Sequence, residues 1–183
     1  TLPAVYKRML WSLSNHLSMP NSIGDVGALR DVLCGFDPRK VVQAYSNWKK
    51  LFDRVKADVH PPGRMVKSNP HHHWVNYCKG ALDGAAFLAD LGAIGKFREY
   101  VDGFYSTDTG KVELAEAIAD GIHGFGFALA CDFLKELGYT DYVKPDVHLK
   151  AISEGLGLCN GTDLSTYRAV VAMARDVGES PYA

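Results

Sequence analysis

An all-helical fold is predicted for this 183-residue chain by three observations: apolar residues recur at three- and four-residue spacing along most of it, strand-like alternation is scarce, and Pro or Gly punctuates the repeats. The periodic stretches predict helices over 3–18, 25–34, 38–58, 70–91, 94–104, 111–120, 127–137, 146–156 and 163–177. Pro3, Pro38 and Pro70 fall where a first helical turn tolerates a missing N–H, and Gly35, Gly92 and Gly138 follow helix ends. The most loop-like stretch is 60–70, with Pro61, Pro62, Gly63, Ser68 and Asn69, and it reads as a border between two helical lobes of one domain spanning 1–183. A second, shorter break is expected over 107–110.

At 47% hydrophobic residues the chain can bury one sizeable core. Its apolar runs, such as 124–130, are interrupted by charge well before the roughly 20 residues a bilayer span needs. Lys7 and Arg8 lie inside an amphipathic pattern and not ahead of an apolar run, so no secretion signal is expected, and the absence of an initiator Met is what a trimmed or a processed start would leave. Cys34, Cys78, Cys131 and Cys159 are widely spaced, which predicts reduced, mostly buried thiols and a cytoplasmic protein. They fit no zinc or iron–sulfur ligand spacing, so no cofactor is expected.

Net charge is −1, which excludes a uniformly basic chain, but the charge is uneven. Over 39–67 there are eight basic residues (Arg39, Lys40, Lys49, Lys50, Arg54, Lys56, Arg64, Lys67) against Asp53 and Asp58, a local net of +6. Such a segment can present a phosphate-facing surface, because a field screened beyond about 8 Å acts locally. It is also what a solvated helix face looks like.

The stretch Ile122-His123-Gly124-Phe125-Gly126-Phe127-Ala128 lies between two predicted helices. Two glycines one residue apart permit a tight reversal and leave backbone N–H groups uncovered at the start of the second helix, a seat for an anion such as phosphate. An ordinary helical hairpin would carry the same glycines. Downstream, Pro145 holds Lys144 extended and puts Asp146 at the start of the next helix, where orphan amides and the helix dipole favour its ionised form. An isolated Pro-Asp is equally an ordinary N-cap.

Together these elements resemble the helix-hairpin-helix and Gly/Pro-Asp signature of the base-excision DNA glycosylases, the superfamily that includes endonuclease III-like and 8-oxoguanine-type enzymes. The family's Leu-Pro-Gly-Val-Gly hairpin is similar to Ile122-His123-Gly124-Phe125-Gly126, and its Val-Asp-x-His segment to Pro145-Asp146-Val147-His148, with 20 residues from Gly126 to Asp146. The resemblance covers 111–158, about a quarter of the chain, and aligns nothing in the first hundred residues. It implies a two-lobed, DNA-glycosylase-like helical bundle acting on double-stranded DNA as a monomer, in the cytoplasm with the nucleoid or in a nucleus. It further implies Asp146 as the catalytic carboxylate, with His123, Gly124, Phe125, Gly126, Phe127, Ala128, Lys144 and His148 against DNA and room for a structural monovalent cation at the hairpin. His123 replaces the family's proline. Bifunctional members carry a lysine nucleophile where this chain has Ala128, so the comparison implies a monofunctional enzyme that releases a damaged, modified or mispaired base by hydrolysis. The alternatives are a non-catalytic helix-hairpin-helix DNA-binding protein and a helical interaction protein. Trp11, Trp48, Trp74 and Tyr77 are candidates for a base pocket, each also suited to the core. His71, His72 and His73 are consecutive, so on a helix they point about 100° apart and do not share a metal.

Overall fold

Short polar side chains set the helix starts. In the computed structural model, which describes residues 1–15 and 25–182, there are nine α-helices and no strand among the described residues. They are α1 (Leu2–Ser14), α2 (Pro38–Ala44), α3 (Trp48–Asp58), α4 (His73–Leu91), α5 (Ile94–Tyr105), α6 (Asp108–Gly121), α7 (Phe127–Glu136), α8 (Val147–Gly155) and α9 (Asp163–Val177). Thr1, Asp37, Asn47, Thr107, Asp146 and Thr162 each cap a helix by accepting backbone N–H bonds that the first turn leaves open.

Three sequence expectations are corrected. The helix expected over 25–34 is replaced by two short 3-10 turns, Val26–Leu29 and Cys34–Phe36, and no α-helix can run through the end of that stretch, because Cys34 (φ 51°), Gly35 (φ 69°) and Phe36 (φ 66°) are all left-handed. The helix expected over 38–58 is broken between α2 and α3, where extended Asn47 restarts the helix by accepting N–H bonds from Lys49 and Lys50. Pro70 lies outside α4, whose cap is the His72 ring, three residues later than the proline implied. Residues 16–18 of the first expected helix lie outside the described residues.

The apolar face of α4 organises the core. It packs against α1, α2, α3, α5 and α6. Close approach is possible because Gly80, Ala81, Gly84 and Ala85 repeat at helical spacing. A Cβ at Gly84 would overlap the Met9 sulfur, and one at Gly80 would overlap the His123 carbonyl oxygen and crowd Leu13. Two glycines thus let α1 and the turn after α6 lie directly on the α4 backbone. Tyr6 fixes the crossing by donating to the Ala81 carbonyl at 2.9 Å.

Buried side chains from Val5 to Tyr167 form one apolar cluster. Of the cysteines, Cys78 and Cys131 are buried and Cys34 and Cys159 only half-buried, all four as free thiols. The C-terminal pair α8–α9 joins this body through α7 and through Arg175, which donates to Asp108 at 2.7 Å and holds that carboxyl below its usual range. No helix among the described residues is long and apolar enough to cross a membrane.

Candidate functional site

The turn between α6 and α7 is closed by a hydrogen bond from Phe125 N–H to the Ile122 carbonyl at 3.0 Å, with Gly124 at φ +82°. A side chain at 124 would be strained by that φ and would press on Leu13, so glycine is required there. Ile122 and Phe125 are buried, and the Phe125 ring packs edge-on against Phe133 of α7. His123 projects outward, donates its N–H to Asp83 Oδ2 at 3.0 Å and places its ring Nε2 at 3.1 Å from Asn76 Oδ1. Both partners sit on α4, so the turn is clamped to the central helix.

Gly126 is extended (φ −118°, ψ 174°) and caps α7 without a side chain. Its carbonyl takes the N–H groups of Leu129 and Ala130, while the amides of Phe127 and Ala128 meet no acceptor among the described residues. Those two donors and the helix dipole make the start of α7 an anion seat built from backbone. The Phe125 side chain is buried, whereas Phe127 is half-buried with its ring edge-on to Tyr167 at 5.5 Å.

Asp146 is exposed and extended, at the N-cap of α8. Its Oδ1 accepts the N–H of His148 at 3.0 Å and of Leu149 at 2.9 Å, which leaves Oδ2 without a hydrogen-bond partner among the described residues. An inverse turn, Asp146 N–H to the Lys144 carbonyl at 2.8 Å over buried Pro145, aims the residue outward. The carboxylate is therefore oriented by two fixed amides and still has a free oxygen facing solvent. His148, exposed on the first turn of α8, lies beside it in sequence.

Lys144, expected to meet phosphate, is half-buried and points to Asp132 of α7, 3.8 Å away. Asp132 is a residue the sequence reading missed. Its side chain is only 8% exposed, and it accepts hydrogen bonds from Arg8 Nη2 at 2.9 Å and Ser12 Oγ at 2.8 Å, with Lys135 at 3.9 Å. One buried anion thus ties α1, α7 and the segment leading to Asp146. A detectable signal was present: Asp132 interrupts the apolar run Leu129-Ala130-Cys131-Asp132-Phe133-Leu134, and a charge on a buried helix face must be paired. Asp132 lies about 8 Å along the α7 axis from the open amides, at 1.5 Å rise per residue. A second link is aromatic, since Phe127, Tyr167 and Tyr142 form a chain of ring contacts at 5.5 and 6.1 Å from the turn to the same segment.

Of the aromatic candidates, Trp74 and Tyr77 are core residues. Trp11 is 40% exposed on α1, and Trp48 is half-buried at the start of α3. His72 is spent on the α4 start: its ring accepts Trp74 N–H through Nδ1 and lies 2.9 Å from the Arg64 carbonyl through Nε2, while the His73 ring lies against those of His72 and Trp74. No group of His, Cys, Asp or Glu suited to a metal ion occurs among the described residues. No protein-family model matches the sequence, and neither curated proteins nor solved structures give a match.

Proposed function

We propose that this chain is a monofunctional DNA glycosylase of the helix-hairpin-helix class, which hydrolyses the bond between deoxyribose and a damaged, modified or mispaired base. The observation that carries the reading is the pairing of an uncapped glycine turn at the start of α7 with an exposed, amide-oriented carboxylate at Asp146, joined through Lys144 and Asp132. The amides of Phe127 and Ala128 hold a backbone phosphate without reading sequence. Asp146 faces the sugar of a neighbouring nucleotide.

Loss of the base builds positive charge on the deoxyribose, and a fixed anion stabilises that charge more in the transition state than in the ground state. The free Oδ2 also accepts a hydrogen bond from water and directs it to the anomeric carbon. The C–N bond breaks with its electron pair going to the base, the water oxygen bonds to carbon, and a water proton completes the departing base, leaving an abasic site. With Ala128 at the nucleophile position no Schiff base forms, so the strand stays intact.

Incubating the protein with duplexes carrying different modified or mispaired bases, followed by alkali, tests this. The expected result is strand cleavage at one class of lesion only after alkali. Cleavage without alkali would contradict the monofunctional assignment, and no base release from any duplex would favour a non-catalytic DNA-binding module.

A further inference from the structure

Beside the turn lies an open recess of about 460 Å³, lined by Asn47, Trp48, Lys79, Leu82, Asp83 and His123. It joins three separate parts of the chain: the break between α2 and α3, the exposed flank of α4, and the α6–α7 turn. The size falls within the roughly 300–1,000 Å³ typical of small-molecule sites. Trp48 forms its aromatic wall, braced from behind by an edge contact to buried Phe52 at 6.3 Å.

Two ammonium groups approach that indole, Lys79 Nζ at 5.6 Å and Lys49 Nζ at 5.9 Å from the ring centroid. Neither lysine, nor neighbouring Lys50, has a carboxylate partner among the described residues. Asp83, the one acid in the lining, is occupied by the His123 N–H. The recess therefore offers an aromatic face and uncommitted positive charge, the combination that holds a single unstacked nucleotide. An exposed lysine over a ring is a weak contact, and a base that displaces it stacks more strongly while the freed ammonium pairs with phosphate.

We infer that the Trp48 recess is a subsite for an unpaired base of DNA, stacked on the indole with its phosphate held by Lys79 and Lys49. This rests on the DNA reading above and deepens it by assigning a partner to the basic segment over 39–67. It is independent of whether Asp146 performs chemistry.

The test is equilibrium binding, by fluorescence anisotropy, of three duplexes: fully paired, carrying a one-nucleotide bulge, and carrying the same bulge without its base. The protein is expected to bind the base-bearing bulge about tenfold more tightly than the baseless one, within the range of base–aromatic stacking. Trp48→Ala removes that preference, Trp48→Phe keeps most of it, and Lys79→Gln weakens both bulges alike. Equal affinity of the unaltered protein for the two bulges overturns the subsite, as does a preference that survives in folded Trp48→Ala. Tighter binding of the matching RNA overturns the assignment to DNA. Absence of binding to all three duplexes overturns the DNA reading itself, whereas lack of base release with the bulge preference intact removes only the catalytic part.

Discussion

Asp146→Asn is expected to lower single-turnover base release by about a hundred- to a thousandfold, the loss typical when one preorganised electrostatic partner of a transition state is removed. The substitution isolates charge from structure. Asn is as good an N-cap as Asp, so its amide oxygen keeps the bonds from His148 and Leu149 N–H, and α8 keeps its start. Thermal stability should change little. Duplex affinity should be unchanged or slightly higher, since one negative charge leaves the surface proposed to face phosphate. Release measured by alkali cleavage, with binding measured on the same duplex, checks both halves; release that persists at the unaltered rate would remove Asp146 from the mechanism.

Asp132→Ala should be the most destabilising single change near the site, by about 3 kcal/mol. Breaking a buried ion pair from one side leaves the other charge poorly compensated, and here Arg8, 22% exposed, whose Nε already has no hydrogen-bond partner, would keep only the looser Glu136 carboxylate at 3.7 Å and the Ser12 hydroxyl at 3.1 Å. For a chain of this size the melting temperature should fall by about 6–12 °C. Base release should fall as well, because Lys144 loses its anchor two residues before Asp146. Replacing both partners with apolar groups, Arg8→Met with Asp132→Leu, should recover part of the lost stability without restoring the Lys144 contact. Circular dichroism melts of the two variants and the unaltered protein check this, and an Asp132→Ala melt within 2 °C of the unaltered protein would refute it.

Local signals were legible in the sequence and distant ones were not. The α6–α7 turn and the α8 start were readable because glycine spacing and Pro-Asp act within a few residues, and Asp163–Val177 was read without error. The break at Asn47 was masked because apolar periodicity runs through it, although Ser46-Asn47 is a helix-start pair. The left-handed residues at 34–36 were invisible because two of the three are not glycine and the segment sits in contact with α1 and α2, the first of them distant in sequence. The same limit hid the Lys144 partner: Asp132 is 12 residues away, and Arg8, which fixes Asp132, is 124 residues from it. Lys144 read as a phosphate contact because the sequence contains its charge and not its neighbour.

The proposed chemistry requires that one DNA strand reach both the open amides of α7 and the free oxygen at 146. A crystal structure of the Asp146→Asn protein with a duplex containing an abasic-site analogue measures this directly. It should place a phosphate oxygen within about 3 Å of the Phe127 or Ala128 nitrogen and the analogue's sugar against residue 146, at hydrogen-bonding range. A duplex seated on the turn with that sugar turned away from α8, or seated elsewhere, would contradict the account.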